Sequence, residues 1–83
     1  MGLRAYLLIR AKQGVDEAGL FKKAQEIECM QQVDFVDVVR GTHDLVAIAE
    51  SKDTVDALCL AVSSLDWVDD VDVLRVLCEQ YSG

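Results

Sequence analysis

The chain has 83 residues, 52% of them hydrophobic, and a formal net charge of −7 from 15 acidic and 8 basic residues. This acidic balance argues against direct binding to nucleic acid or to an anionic membrane surface, because both need a basic footprint. No apolar run approaches the roughly 20 residues of a membrane-spanning helix. We expect one small domain over residues 1–83. Because it has more hydrophobic residues than one small core can bury, we also expect an oligomer.

The first third of the chain predicts a strand followed by a helix. Residues 4–11, RAYLLIRA, are typical of a mostly buried strand, and the Lys12-Gln13-Gly14 segment predicts a turn. Asp16 can cap a helix that runs to about Cys29, because its carboxylate can accept from N–H groups of the first turn. We expect the apolar face of that helix to consist of Leu20, Phe21, Ala24 and Ile27.

Two valine-rich runs then flank the turn Gly41-Thr42-His43-Asp44. A strand with one face in water alternates apolar and polar residues, but these runs are apolar on both faces. Both faces of the hairpin must therefore be covered, and in so short a chain we expect a second copy to provide one cover. The predicted faces of the first run are Val33, Phe35 and Val39 on one side and Val36 and Val38 on the other.

The last third predicts a second helix and a closing strand. Ser51 or Asp53 is expected to cap a helix from about Thr54 to Leu65. Trp67 follows that helix, and residues 71–77 predict the final strand. The acidic residues around it, Asp66, Asp69, Asp70 and Asp72, are expected to form a solvated rim. The second helix has an apolar stripe at spacings of three, four and three residues, made of Val55, Leu58, Val62 and Leu65.

The resulting β-α-β-β-α-β order predicts an α+β, ferredoxin-like sandwich. Right-handed crossovers place both helices on one face of a four-stranded antiparallel sheet, with the first and third strands central. The other face stays bare, and Phe35, Val39 and members of the set Leu7, Leu8 and Ile9 are available to it. Because exposed apolar patches of that size mark interfaces, we expect a dimer through this face.

Three segments carry a resemblance to a known family. They are AYLLI in the first strand, VDFVDVVRGTHDLVA at residues 33–47, and LDWVDDV at residues 65–71. Together they resemble the effector-binding and oligomerisation domain of Lrp/AsnC-type transcription regulators, also called the regulation-of-amino-acid-metabolism (RAM) domain. Those regulators usually carry an N-terminal helix-turn-helix, for which this sequence leaves no room. We therefore expect a stand-alone domain without direct DNA binding.

The resemblance implies a ligand and an assembly. An amino acid or similar small metabolite would bind between dimers near the turn, with Gly41 and Asp44 as motif positions and Thr42 and His43 as neighbours. The partners it implies are further copies, as a dimer and a higher assembly of dimers, and a full-length regulator of the same family. Each turn residue also has a structural explanation: Gly41 tolerates positive φ, Asp44 can cap the turn, and His43 can be a solvated turn residue.

The sequence predicts no enzyme, cofactor, catalytic residue or metal site. Cys29, Cys59 and Cys78 are an odd, widely spaced set, which is typical of reduced thiols in a cytoplasmic protein. Two alternative functions share the same order of elements. One is an ACT-like amino-acid sensor that pairs its sheets edge to edge, and the other is a small dimeric α+β barrel monooxygenase with a cavity between sheet and helices.

Overall fold

A computed structural model of the chain describes residues 3–51 and 55–76. Its strands form one antiparallel sheet in which the second strand pairs with the third, the third with the first, and the first with the fourth, which confirms the ferredoxin-like prediction with the first and third strands central. Neither described helix is long and apolar enough to cross a bilayer. The elements are β1 (Leu3–Ala11), α1 (Glu17–Glu28), β2 (Val33–Val38), β3 (Leu45–Ser51), α2 (Asp56–Ser63) and β4 (Val68–Arg75).

Helix α1 begins as predicted, with Asp16 as its N-cap. The Asp16 carboxylate accepts from the Gly19 N–H at 2.8 Å. A Cβ atom at Gly19 would lie 3.1 Å from that carboxylate oxygen, so glycine leaves room for the cap. The helix buries Ala24 and Ile27, but Phe21 is 58% exposed, so its predicted place in the core is wrong. Phe21 lies outside the narrow stripe that faces the sheet.

Helix α2 begins later than predicted and has a different cap. Its N-cap is Val55, with no side-chain hydrogen bond to the first turn. Ser51 instead ends β3, and Asp53 lies outside the described residues. The predicted apolar stripe is confirmed, because its members are buried or packed against the core: Val55, Leu58, Val62 and Leu65.

Strand β2 contains an irregularity that the alternation rule did not predict. The pairing of β2 with β3 shifts register between Val33 and Phe35. Val33 and Val36 are consequently both buried on the helix-covered face, whereas the sequence placed Val33 with Phe35. Phe35 points to the other face and is 45% exposed. Val39 lies beyond the end of β2, and its N–H donates to the Asp44 carbonyl at 2.9 Å.

Strand β4 begins at Val68, three residues before the predicted start at Val71. The Lys12 N–H donates to the Trp67 carbonyl at 2.8 Å, and Ala11 pairs with Val68, so the far end of β1 extends β4. Most of the acidic rim is therefore part of an edge strand. The predicted end of β4 at Leu77 lies outside the described residues.

The core lies between the sheet and the two helices. Burying each large aliphatic side chain there contributes roughly 1.5–3 kcal/mol to folding. Trp67 is 9% exposed, and the Lys23 ammonium lies 5.9 Å from the centroid of its ring, within range of a cation–π contact. The largest fully buried side chains are Leu7, Ile9, Ile27, Leu45 and Val62.

Candidate functional site

The sheet face opposite the helices presents two rows of side chains that cross all four strands. Register pairs define them: Tyr6 lies beside Ile48 and Leu74, and Leu8 lies beside Val46 and Asp72. Phe35 and Asp37 continue the two rows onto β2. In strand order, the apolar row is Phe35, Ile48, Tyr6 and Leu74, and the mixed row is Asp37, Val46, Leu8 and Asp72.

The apolar row is the largest exposed hydrophobic feature of this face. Phe35, Tyr6 and Leu74 are 45%, 36% and 52% exposed, and they are three of the five exposed large hydrophobic residues in the described part of the chain. Leu8 belongs to this face, whereas Leu7 and Ile9 lie in the core. Exposed apolar patches are frequent at surfaces through which proteins bind partners.

The turn between β2 and β3 begins with a backbone conformation that favours glycine. Gly41 has φ of +145°, a value that side chains with a Cβ rarely adopt. Nothing lies within 4 Å of a Cβ built at this position, so the requirement comes from the backbone and not from crowding. Gly41 therefore has a structural reason to be glycine, whether or not a ligand approaches it.

The Asp44 carboxylate holds the turn against β1. Its Oδ2 accepts from the Ala11 N–H at 2.8 Å, and the Asp44 N–H donates to the Ile9 carbonyl at 2.9 Å. These bonds continue the β1–β3 ladder past its last regular pair, at the point where the β1–β4 register shifts between Arg10 and Ala11. One carboxylate oxygen thus replaces a backbone acceptor at an irregular strand end.

His43 reaches from the turn to the mixed row. Its Nε2 lies 2.9 Å from Asp72 Oδ2, and its Nδ1 lies 2.9 Å from the Thr42 hydroxyl. A carboxylate can only accept, so Nε2 carries the proton, and in the neutral imidazole Nδ1 accepts from Thr42. The His43 side chain is 15% exposed, so it is less solvated than expected for a turn residue.

Arg10 completes the attachment of the turn to the sheet. Its Nε donates to the Thr42 carbonyl at 3.2 Å. The turn is therefore tied to β1 through Arg10 and Asp44 and to β4 through His43, at one corner of the bare face. The sequence did not identify Arg10 or Asp72 as partners of the turn. These contacts depend on the strand register, which pairs Leu8 with Asp72 and Arg10 with Asp70, and the sequence contains no local signal for it.

Carboxylates line both edges of the sheet. The Asp37 carboxylate, in the mixed row, makes no hydrogen bond or ion pair with any residue in the described segments 3–51 and 55–76. An unpaired carboxylate beside an apolar row is costly to bury unless a partner supplies a donor. The edge strands β2 and β4 carry Asp34, Asp37, Asp69, Asp70 and Asp72.

The two thiols in the described part of the chain have no chemistry that favours a catalytic role. Cys29 and Cys59 are free. Partial burial, together with the nearby Asp56 carboxylate, raises the pKa of the Cys59 thiol, and Arg75 partly offsets this. A raised pKa keeps the thiol protonated at neutral pH, which does not favour a nucleophile. Within the described residues, no group of three or more His, Cys, Asp or Glu side chains is placed to hold a metal ion.

No protein-family model matches the sequence, and no curated protein matches it significantly. Solved structures do match. TTHA0845 from Thermus thermophilus is 26% identical with a TM-score of 0.79, over 95% of this chain and 98% of that protein. The transcriptional regulator NMB0573 of Neisseria meningitidis, solved in complex with L-Met, is 19% identical with a TM-score of 0.71. E. coli AsnC is 14% identical with a TM-score of 0.75.

In both of these proteins the match covers nearly all of this chain but only about half of the other protein. The match covers 93% of this chain and 51% of the NMB0573 chain, and 98% of this chain and 54% of AsnC. The chain therefore spans about half the length of these proteins. The expected likeness to Lrp/AsnC regulators is confirmed at the level of the fold.

Proposed function

We propose that this chain is an effector-binding and oligomerisation domain of the Lrp/AsnC type. It would bind an amino acid or similar small metabolite and modulate transcription or amino-acid metabolism without binding DNA itself. The observation that carries this proposal is the shared fold, which extends over nearly all of this chain and about half of two such proteins. One of them was solved with L-Met, which supports an amino acid as the class of ligand.

The proposed assembly uses the bare face. Two copies that pack face to face would bury the apolar row of each, as aligned sheets do in β-sandwiches. Dimers would then associate further through the turns, and a full-length regulator of the same family could take the place of one copy. We also propose a cytoplasmic location, where free thiols such as Cys29 and Cys59 stay reduced.

The acidic edges disfavour the ACT-like alternative. Edge-to-edge association would add a second copy of β2 or β4 to the outside of the same strand. Asp34 and Asp37 on β2, or Asp69 and Asp70 on β4, would then approach their own copies. Charged edge strands of this kind are a common protection against such pairing. Three of the five exposed large hydrophobic residues in the described part of the chain, Tyr6, Phe35 and Leu74, lie on the bare face, where they favour sheet-on-sheet packing.

The position of His43 disfavours the barrel monooxygenase alternative. Such an enzyme would need its reactive groups in a cavity between the sheet and the helices. His43 is the only histidine, and it contacts Asp72 on the face that the helices do not cover. Among the described residues, the buried side chains between the sheet and the helices are aliphatic apart from Trp67, and none of them is a carboxylate, a histidine or a lysine.

The proposed ligand site is the turn Gly41-Thr42-His43-Asp44. Asp44 Oδ2 is already bonded to Ala11, so an effector ammonium would use the second carboxylate oxygen. Gly41 and Thr42 are exposed and would approach the ligand with backbone N–H and hydroxyl groups. Arg10 and His43 would act by holding this turn in place.

Native mass spectrometry and titration calorimetry with L-Met and a panel of other amino acids would test this function. We expect a dimer or an assembly of dimers, and heat of binding with at least one amino acid. Asp44→Asn should weaken binding at least tenfold, because it removes the charge but keeps an oxygen for Ala11. Asp34→Asn is the matched control and should bind like the wild type. A wild-type chain that binds no amino acid would contradict the proposal.

A further inference from the structure

The arrangement of charges on the bare face determines how two copies can pack there. Face-to-face packing about a two-fold axis parallel to the strands lays β2 of one copy over β4 of the other and keeps each row over the same row. The apolar rows then superpose. In the mixed row, Val46 faces the partner's Leu8, and Leu8 faces the partner's Val46. Every apolar side chain of the two rows meets another one.

An axis perpendicular to the strands gives a poorer match. If this axis passed through the apolar row, the mixed row would face the partner's row that contains Arg4 and Glu50. The apolar side chains of Val46 and Leu8 would then meet an ion pair. If it passed between the two rows, Phe35 would face the partner's Asp37. Both arrangements bury carboxylates or guanidinium groups against apolar side chains, which is unfavourable. The parallel axis is therefore the better match.

The parallel arrangement brings two carboxylates together at each of two corners. Asp37, at the β2 end of the mixed row, faces the partner's Asp72 at the β4 end. Two ionised carboxylates repel each other at such a site unless a cation lies between them. The partner's His43 already lies there, because within one copy the His43 imidazole is 2.9 Å from Asp72.

We propose that protonated His43 joins the two copies by holding Asp72 of its own chain and Asp37 of the other. The proposal rests on the face-to-face dimer of the proposed function and adds its regulation: the dimer strengthens in mild acid. The imidazolium donates from both nitrogens, so Nε2 can stay on Asp72 while Nδ1 leaves Thr42 for the partner's Asp37. The neutral ring has one N–H and cannot satisfy both carboxylates.

Other charged groups around His43 do not replace this role. Asp70 on β4 and Asp44 in the turn add negative charge near the ring, and Asp44 is bonded to Ala11. Arg10 on β1 is attached to the same turn, and its Nε is bonded to the Thr42 carbonyl. Arg40, in the same connection, lies 3.4 Å from Glu17 of α1. Histidine is the side-chain type that gains a charge in mild acid, so the imidazole is the group at this corner that can form the bridge.

Dimer affinity depends on pH because the dimer favours the protonated form of His43. The dimer binds the protonated ring more strongly than the monomer does, because only the dimer supplies Asp37. Dimer affinity is therefore high at low pH and falls as the pH rises through the range in which histidine loses its proton, about pH 5 to 8. His43 is the only histidine of the chain, so few other groups titrate in this range.

Sedimentation equilibrium of the full chain at about pH 5.5 and pH 8 and constant ionic strength tests the proposal. The wild-type dimer should be roughly 10- to 100-fold tighter at the lower pH, because each dimer contains two such bridges. His43→Gln and Asp37→Asn should each lose this pH dependence. Asp34→Asn makes the same charge change on the same strand and should keep it.

Different results would overturn the His43 bridge and the face-to-face dimer. A chain that stays monomeric at both pH values would overturn the face-to-face dimer itself. A dimer whose affinity is independent of pH, or whose pH dependence survives in Asp37→Asn, would leave the dimer and overturn the bridge. Asp37→Asn keeps the contacts of His43 within its own chain, so it remains informative if His43→Gln fails to fold.

Discussion

The two faces of the sheet are built from alternate residues of the same strands, but the side chains of only one face are fully buried within a single chain. On the helix-covered face, Leu7, Ile9 and Leu45 are fully buried within one chain. On the opposite face, their neighbours Tyr6 and Leu74 remain partly exposed, in a row bordered by carboxylates. One face therefore supplies the stability of the single chain, whereas the other leaves an apolar surface exposed, which is where we propose that the second copy packs.

The adjacent leucines of β1 provide the strongest test of this difference. Leu7→Ala should lower the free energy of unfolding by about 2–5 kcal/mol, because it leaves a cavity in the core. Leu8→Ala, one residue later on the bare face, should cost much less in the monomer and should weaken dimerisation instead. Urea denaturation followed by the fluorescence of Trp67, the only tryptophan, measures the first effect. Equal losses for the two variants in dilute protein would contradict the contrast between the faces.

The two exposed phenylalanines test which apolar surface binds a partner. Phe35→Asp places a charge in the apolar row and should weaken dimerisation by about 2 kcal/mol or more, the size of an interface hot spot. Phe21→Asp is the matched control, since Phe21 on α1 is more exposed but lies on the helix side. Sedimentation equilibrium should show a loss of dimer only for Phe35→Asp. Loss in the Phe21 variant alone would place the interface on the helices.

Asp44 variants test what holds the turn at the corner of the bare face. Asp44→Ala removes the acceptor of the Ala11 N–H, and leaving that part-buried donor unpaired should cost about 1–3 kcal/mol of stability. Asp44→Asn keeps an oxygen there and should be much closer to the wild type. Urea denaturation of both variants checks this. Similar losses in the two would mean that the charge, and not the hydrogen bond, holds the turn.

The ion pair on the other side of the turn should matter least. Arg40 lies 3.4 Å from Glu17, but the two side chains are 89% and 69% exposed, and exposed pairs contribute little to stability. Arg40→Ala should therefore leave the urea midpoint and the dimer affinity unchanged within error. A clear loss of stability would show that the turn is held to α1 as well as to the bare face.

Most of the architecture could be predicted from local patterns. The Asp16 cap, the stripe of α2 and the order of six elements each follow from residues that are close in sequence. The errors lie where the chain departs from a regular period. The register shift after Val33 moved that residue to the core, and Phe21 fell outside the buried stripe of α1. Strict alternation and helical periodicity contain no information about such irregularities.

The candidate site was predicted only as a segment. Gly41, Thr42, His43 and Asp44 are consecutive, so the sequence could place them in one turn, and the positive φ of Gly41 agrees with that. Their partners could not be predicted, because Ala11 and Asp72 lie 33 and 29 residues away from the turn residues that they contact. Those pairings depend on strand order and register, which bring β4 beside β1.

The fold class and the surplus of apolar residues were already specified by the order of amino acids, because composition, helical stripes and turn residues act over short distances along the chain. Only the folded sheet establishes which apolar residues remain outside the core and which groups the turn contacts. Phe35, Tyr6 and Leu74 form one row only because β2, β1 and β4 lie in register across the sheet. His43 meets Asp72 for the same reason, since only the assembled sheet brings the turn and the edge strand together.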